Sequence, residues 1–346
     1  MTTPWPALEK GSGILKSAAS AWHDFAVVTT LSPWALVKAE LPEPHAVILA
    51  TDLKRETLEF LRERVRGASM IVGVGSGLSM DTAKYLAKTE NAALAQVLTT
   101  SSNNACFTRT AWTFEGSARI PEREVPIPRQ LILDYRILMH APARMNQAGA
   151  AEILCSHTSL FDWRIAHEAG VDVQWDEELY RSTQDELDRL DDYAPAIGAG
   201  ECNAFVEIIE VGAKFARGFT THPKARFNSG SEHILAWALE QQSGRRLIHG
   251  EAVNLGILLM AHIQGNNPGR AADVIRAAKM RFQPEQLGIT WPIVEGIVMR
   301  LPEFARNVPW HTIVTEFDRR GEDGRRDLAS RFAAARDYVE RLGLVN

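Results

Sequence analysis

Residues 72–84 read Val-Gly-Val-Gly-Ser-Gly-Leu-Ser-Met-Asp-Thr-Ala-Lys: an apolar run with glycines at alternate positions, followed by a helical pattern. Glycine lets the backbone approach a phosphate closely and adopt φ angles that other residues avoid. A helix that begins directly after the glycines offers N–H groups and the positive end of its dipole to an anion. The stretch therefore predicts a strand, a glycine turn and a helix. The turn either binds a pyrophosphate or simply joins the two elements, because it lacks the usual G-x-G-x-x-G spacing.

The same alternation of strand and helix continues on both sides of this stretch. Short apolar runs typical of buried strands and patterns typical of amphipathic helices follow one another. The runs are residues 46–51, 70–74, 94–98 and 130–134, and the helical patterns are residues 56–66 and 79–89. This order favours a parallel sheet with helices on its faces, that is, a Rossmann-like α/β fold. Residues 113–128, rich in Pro, Glu and Arg, predict a loop or a short hairpin.

Strand signals end near residue 141, and helical periodicity then continues to Leu344. Pro142 is well placed to open the first of these helices. We therefore predict two domains: an α/β nucleotide-binding domain over residues 1–140 and an all-helical metal- and substrate-binding domain over residues 141–346. The boundary is expected within residues 138–145.

Composition excludes several classes of protein. Of the 346 residues, 45% are hydrophobic and 23% are charged, as in ordinary globular proteins. With 38 basic and 43 acidic residues the net charge is −5, which argues against a nucleic-acid partner. No apolar stretch approaches the roughly 20 residues that a membrane span needs, and no signal peptide is evident, so we expect no membrane partner.

The three cysteines, Cys106, Cys155 and Cys202, show no CxxC spacing. They indicate neither a disulfide framework nor a cysteine-rich zinc site. This usage is typical of a reducing compartment, and we expect a cytoplasmic location.

Asp52 follows the apolar run of residues 46–51. A carboxylate at the end of a strand can accept hydrogen bonds from a ribose, but it can equally cap the helix that follows. Lys54 and Arg55 would tolerate an additional phosphate on that ribose. The residues alone therefore do not distinguish NAD from NADP.

Glu152, His233 and His249 could together hold a divalent metal ion. Two imidazoles and one carboxylate leave a coordination position for a substrate, as in catalytic zinc sites. Each residue also has an ordinary structural explanation, because single histidines in helices are commonly hydrogen-bonded core or surface residues. The spacing is too wide to be a metal signature by itself, so from the residues alone both explanations stay open.

Taken together, residues 45–262 resemble one superfamily, which contains iron-containing alcohol dehydrogenases, glycerol dehydrogenases, glycerol-1-phosphate dehydrogenases and dehydroquinate synthases. Residues 73–84 are similar to its GGGxxxDxAK nucleotide loop, and residues 99–104 (TTSSNN) to its T-x-x-S-x-D substrate and nicotinamide loop. The resemblance implies the dehydroquinate synthase-like fold and an NAD(P) cofactor. The residues implied or expected to bind that cofactor are Asp52, Gly75, Ser76, Gly77, Asp81, Thr99, Thr100 and Ser102.

Glu152, His233 and His249 fall on the metal ligands of this superfamily. The resemblance therefore implies a catalytic metal ion that binds a carbonyl or alcohol oxygen. Oxygen and imidazole ligands suit zinc, but also iron or nickel.

Two further segments resemble the glycerol-1-phosphate dehydrogenase branch. They are residues 162–166 (DWRIA) and residues 226–233 (RFNSGSEH). This resemblance implies a metal-dependent, NAD(P)-linked oxidoreductase whose small-molecule substrate is a polyol or polyol phosphate, with glycerol 1-phosphate and dihydroxyacetone phosphate as first candidates. Asn104 and Arg226 are the implied catalytic-site residues, with Arg226 expected to bind an anionic group of the substrate.

Four positions depart from the pattern of that branch. Glu152 stands where Asp is usual, Asn104 where Asp is usual, Cys155 where Lys is common and Trp237 at the second position of H-x-x-x-H. Two alternatives therefore stay open: a sugar-phosphate cyclase of the dehydroquinate synthase type, and a nucleotide-binding relative without catalysis. The sequence also leaves the oligomeric state open, a homo-oligomer included.

Overall fold

The computed structural model describes residues 5–116, 118–245 and 247–344. The chain divides between Asn146 and Gln147 into two compact units, which we call the N-terminal unit and the C-terminal unit. The predicted domain limits at residues 140 and 141 lie close to this division and stay a prediction.

The N-terminal unit contains strands and short helices in alternation. The strands are β1 (Leu8–Gly11), β2 (Phe25–Thr29), β3 (Ala46–Leu49), β4 (Met70–Gly75), β5 (Ala93–Leu98), β6 (Thr110–Glu115), β7 (Ala118–Arg123) and β8 (Gln130–Asp134). The helices are α1 (Leu15–Ala18), α2 (Leu31–Val37), α3 (Arg55–Glu63), α4 (Gly77–Thr89), α5 (Tyr135–His140) and α6 (Ala143–Ala148), the last of which runs across the division.

Six of these strands form one parallel sheet in the order β1-β8-β5-β4-β2-β3. The central strands carry apolar side chains on both faces, because helices cover both; Val72, Leu94 and Ile132 are fully buried. The predicted α/β fold with a parallel sheet is confirmed. β6 and β7 form a separate antiparallel hairpin, one of the two structures predicted for that stretch.

β1 and β2 were not predicted as strands. β1 lies at the edge of the sheet and reads LEKG, so half of its residues are charged and exposed. β2 reads FAVVT and is fully buried, but five residues are too few for periodicity to distinguish a strand from a piece of buried helix.

The described residues of the C-terminal unit form helices and no strand, as predicted. The helices are α7 (Ala151–Leu154), α8 (Ser156–Glu168), α9 (Glu177–Ala199), α10 (Cys202–Thr221), α11 (Ser231–Gln242), α12 (His249–Gln264), α13 (Pro268–Ala277), α14 (Trp291–Met299), α15 (Leu301–Ala305), α16 (Ile313–Arg319) and α17 (Gly321–Gly343). Within the described ranges, none of the helices is both long and apolar enough to cross a membrane.

α12 is the central helix of this unit, and glycines allow close packing around it. A Cβ atom on Gly256 would lie 2.6 Å from the carbonyl oxygen of Glu232 on α11. A Cβ atom on Gly250 would lie 2.0 Å from the carbonyl oxygen of Ala148. Because real Cβ contacts are longer than this, only glycine permits these approaches. They bring the middle of α12 close to α11, and its N-terminal turn close to the end of α6.

Candidate metal centre and nucleotide loop

Three helices of the C-terminal unit bring the predicted metal ligands together. Glu152 lies on α7, His233 on α11, and His249 is the first residue of α12. One potential ligand atom from each residue lies within 4.8 Å of the other two. Nε2 of His249 is 3.4 Å from Oε1 of Glu152. This spacing suits three groups arranged around one cation, although their role as ligands stays a prediction.

Each histidine of this triad is oriented by a carboxylate. Nδ1 of His233 lies 2.8 Å from Oε1 of Glu232, and Nδ1 of His249 lies 2.8 Å from Oε1 of Glu240. An ionised carboxylate only accepts hydrogen bonds, so Nδ1–H is the donor in both pairs. Nε2 of each ring then carries the lone pair that a metal ion needs. Carboxylate–histidine pairs of this kind are usual around protein metal sites. The residues present therefore fit a divalent metal ion.

A second group of potential ligands, Cys155, Glu232 and His233, overlaps this triad. Both oxygens of Glu232 are already used, since Oε1 accepts from the Gly230 amide at 2.7 Å and Oε2 accepts from the Thr158 hydroxyl at 2.8 Å. Burial, together with the charges of nearby carboxylates, raises the pKa of the Cys155 thiol well above its ordinary value. Because both oxygens of Glu232 already accept hydrogen bonds, the geometry favours the triad that contains Glu152.

Asp162, the first residue of the DWRIA segment, positions the helix that carries His233. Its Oδ2 accepts from the amide of Ser231, the first residue of α11, at 2.7 Å. Its Oδ1 accepts from the amide of Ile313, the first residue of α16, at 2.9 Å. One buried carboxyl group thus caps two helices. His233 lies two residues after Ser231, whose amide this carboxyl group holds.

The glycine loop lies at the end of β4, as predicted. Gly75 has a φ angle of +149°, and a Cβ atom there would lie 2.6 Å from the hydroxyl oxygen of Ser79. Ser76 is extended, and its side chain does not cap α4, which begins at Gly77. Gly75, Ser76 and Gly77 therefore lead into the N-terminus of a 13-residue helix that the side chain of Ser76 does not cap. This arrangement suits a pyrophosphate.

The second predicted loop lies beside the first. The Thr99 amide donates to the Gly75 carbonyl at 3.1 Å, and the hydroxyl oxygens of Thr100 and Ser102 are 2.8 Å apart. Asn103 places its amide nitrogen 3.1 Å from the point that a Cβ atom on Gly77 would occupy. Thr99, Thr100 and Ser102 thus lie next to the glycine loop. Asn104 caps a short 3-10 helix, Ala105–Phe107, through its carbonyl oxygen.

Asp81 and Asp52 make contacts within the protein. Asp81 forms a buried ion pair with Lys84 at 2.7 Å and accepts from the Trp112 amide at 3.2 Å, which ties α4 to the β6–β7 hairpin. Asp52 accepts from the Lys54 amide at 2.9 Å, just before α3. Both contacts are structural, and the predicted contacts of these carboxylates with a cofactor stay predictions.

Arg226, predicted to bind an anion, lies against an aromatic ring. Its Cζ is 4.8 Å from the centre of the Trp310 ring, and its guanidinium donates to the Ala225 carbonyl at 2.7 Å. Trp310 in turn lies 5.0 Å from Trp237, whose ring is 5.8 Å from that of His233. Trp237 stands at a motif position in the sequence, whereas Trp310 and Glu240 were not predicted as site residues. Trp310 lies in a loop with no pattern to distinguish it, and Glu240 looks like any polar helix residue.

Comparisons with known proteins show which families this chain is similar to. The family described as "Iron-containing alcohol dehydrogenase" matches residues 35–142. A glycerol-1-phosphate dehydrogenase [NAD(P)+] of Aeropyrum pernix is 26% identical over 242 residues, which are 69% of this chain and 66% of that protein. The enzyme of the same name from Sulfolobus acidocaldarius is 29% identical over 241 residues, again 69% and 66%. The alignments thus span just under two thirds of these two relatives.

Solved structures share the fold over nearly the whole chain. A glycerol dehydrogenase from Schizosaccharomyces pombe superposes with a TM-score of 0.71 at 16% identity, covering 97% of this chain and 90% of that one. A sulfoacetaldehyde reductase from Bifidobacterium kashiwanohense, in complex with NAD+, superposes with a TM-score of 0.68 at 15% identity, covering 96% and 99%. In sequence this chain is similar to iron-containing alcohol dehydrogenases and glycerol-1-phosphate dehydrogenases, and in fold it is similar to glycerol dehydrogenases.

Proposed function

We propose that this protein is a metal-dependent, NAD(P)-linked oxidoreductase that acts on a small polyol or polyol phosphate. Glycerol 1-phosphate and dihydroxyacetone phosphate are the first candidates. The observation that carries the proposal is the triad of Glu152, His233 and His249, in which each imidazole is oriented by its own carboxylate. A protein without catalysis would have no evident use for two such oriented histidines beside a third ligand.

Glu152, His233 and His249 would hold the ion, with zinc, iron or nickel all compatible with the donor set. When bound, a divalent ion supplies a Lewis acid that stabilises the negative charge on the substrate oxygen as hydride is transferred. Glu232 and Glu240 keep Nε2 of each histidine available for this purpose.

The glycine loop would hold the cofactor. The backbone at Gly75, Ser76 and Gly77 and the N-terminus of α4 are proposed to bind the pyrophosphate of NAD(P). Thr99, Thr100 and Ser102 are proposed to contact the nicotinamide half. Asn104 and Arg226 are proposed to contact the substrate, Arg226 through an anionic group such as a phosphate.

The names of the curated relatives favour a dehydrogenase over a sugar-phosphate cyclase. Those from Aeropyrum pernix and Sulfolobus acidocaldarius are named as glycerol-1-phosphate dehydrogenases that use NAD(P)+. Cys106, Cys155 and Cys202 are all free thiols, which supports a reducing, cytoplasmic location as part of the proposal.

A substrate screen tests this function. Purified protein, supplied separately with zinc, iron or nickel, is mixed with glycerol 1-phosphate, other hydroxy-phosphates and free polyols, and the formation of NADH or NADPH is followed by absorbance. We expect metal-dependent reduction of NAD or NADP with at least one alcohol phosphate. Absence of reduction with every alcohol and every metal, in protein that retains bound metal, would contradict the proposal.

A further inference from the structure

Helix α11 carries three side chains along one face at helical spacing: His233, Trp237 and Glu240. Residues separated by three or four positions lie on the same side of a helix. His233 belongs to the metal triad, and Glu240 binds His249 of that triad. Trp237 therefore faces the metal centre from between two residues that form it.

The indole of Trp237 continues into a larger aromatic surface. Its ring meets the imidazole of His233 edge to face at 5.8 Å and lies 5.0 Å from the ring of Trp310, which comes from the loop before α16. Both tryptophans are half-buried, so part of each ring stays accessible. The side chain of His249 is 28% exposed, so one member of the triad is partly open to solvent. We call the surface formed by Trp237 and Trp310 the aromatic wall.

We propose that the aromatic wall binds one carbon substituent of the substrate, the one that flanks the reacting carbon and does not carry the phosphate. The wall would favour a hydrocarbon group at this position over a hydroxymethyl group. This inference rests on the proposed dehydrogenase function and changes its preferred substrate, from glycerol 1-phosphate to hydroxyalkyl phosphates in which an alkyl group replaces the hydroxymethyl group beside the reacting carbon. The oxygen of that carbon would face the metal triad, and the alkyl group would lie on the indoles.

The preference follows from the chemistry of the two indoles. A methylene group transferred from water onto an apolar surface contributes about 0.8 kcal/mol, which is about a fourfold gain in affinity. A hydroxyl group that leaves water for the same surface needs a hydrogen-bond partner. An indole offers one N–H donor and no acceptor, so it serves a hydroxyl group poorly.

A binding series tests the wall without relying on turnover. The ligands are glycerol 1-phosphate and two analogues in which a methyl or an ethyl group replaces its hydroxymethyl group. Calorimetry on the zinc-loaded protein gives the three affinities. For the parent we expect the ethyl analogue to bind about fourfold more tightly than the methyl analogue, and both to bind more tightly than glycerol 1-phosphate.

Variants then assign the preference to the wall. In Trp237→His the ethyl analogue should no longer bind more tightly than the methyl analogue, and glycerol 1-phosphate should bind as tightly as both. In Trp237→Phe the order of the three affinities should be that of the parent. Trp34→His, which makes the same change at a half-buried tryptophan of α2 in the N-terminal unit, should also keep it.

The proposal is overturned if the parent binds glycerol 1-phosphate as tightly as the methyl analogue, if it binds none of the three, or if Trp237→His retains the fourfold step. NADH and NADPH formation with the same ligands separates the two proposals. If the affinities follow the predicted order but no NAD or NADP is reduced, the proposed dehydrogenase function is contradicted and the proposed specificity of the aromatic wall is supported. If NAD or NADP is reduced and glycerol 1-phosphate binds most tightly of the three, the dehydrogenase function is supported and the specificity of the aromatic wall is contradicted.

Discussion

Nδ1 of His249 lies 2.8 Å from Oε1 of Glu240, although the two residues belong to different helices, α12 and α11. The carboxylate fixes which nitrogen of His249 carries the proton and which way the ring faces. We therefore expect Glu240 to position a metal ligand, and this role can be tested separately from the ligands themselves.

We expect Glu240→Ala to weaken metal binding by about 10- to 100-fold, the range usual for loss of an outer partner of a ligating histidine. Glu240→Gln should lose less, because its amide oxygen still accepts from Nδ1–H. Competition against a chelator of known affinity measures both values. Equal metal affinities for the parent and Glu240→Ala would remove Glu240 from the metal centre.

The glycine loop can be tested at Gly77 better than at Gly75. At Gly75 any side chain would meet Ser79 in an unusual backbone conformation, so a loss of cofactor binding could reflect a damaged fold. A Cβ atom on Gly77 meets only the flexible amide end of Asn103 at 3.1 Å.

Gly77→Asp should keep the fold, because a carboxylate in the first turn of a helix interacts favourably with its dipole. It should nevertheless weaken NAD binding by at least about tenfold, since two like charges about 4 Å apart near a protein surface repel by roughly 4 kcal/mol before screening. Fluorescence titration with NADH measures the effect. Gly77→Ala, which adds the same Cβ without charge, is the control and should bind nearly as well as the parent. A Gly77→Asp protein with parental affinity would place the pyrophosphate elsewhere.

Asp162 makes the stability of the C-terminal unit depend on pH. Burial, reinforced by the charge of Glu232, raises the pKa of Asp162 to about 7, although hydrogen bonds from Ser231 and Ile313 oppose the shift. A carboxyl group with a raised pKa in the folded state stabilises the fold fully below its unfolded pKa, near 3.9, and this contribution is lost as the pH rises to about 7. The loss is roughly 4 kcal/mol at most, because one pKa unit corresponds to about 1.4 kcal/mol.

Urea unfolding of metal-free protein between pH 4 and pH 7 measures this contribution. Asp162→Asn should be less stable than the parent at pH 4, because its NH2 group cannot accept one of the two amide hydrogen bonds. Its stability should then decline less steeply toward pH 7. Asp185→Asn, at an exposed position of α9, should keep the parental slope. A parental slope in Asp162→Asn would mean that Asp162 is ionised throughout.

The sequence predicted those parts of the molecule that depend on local pattern. β8 was placed at its observed limits, and the strand, turn and helix around Gly75 follow from apolar runs and glycines that are adjacent in the chain. β1 was missed because its place in the sheet depends on pairing with β8, more than a hundred residues later.

The site was predicted less completely, for a related reason. Glu152, His233 and His249 could be named from the resemblance, and the fold brings them together. Glu240 and Trp310 contact residues of the candidate site from another helix and from a loop, and no spacing in the sequence indicates such contacts. Asp81 stands at the Asp position of the nucleotide-loop motif and was predicted to bind the cofactor. Its partners in the structure are Lys84 and the Trp112 amide.

The central claim is that Glu152, His233 and His249 hold one catalytic metal ion. The most direct measurement is the metal content of the parent, His249→Ala and His262→Ala after loading with zinc and extensive dialysis. His262 lies on the same helix as His249 but outside the triad, so it controls for loss of a histidine from α12. We predict that the parent and His262→Ala retain a stoichiometric ion, whereas His249→Ala folds, still binds NADH and loses the metal. A folded His249→Ala protein with the metal content of the parent would contradict the account.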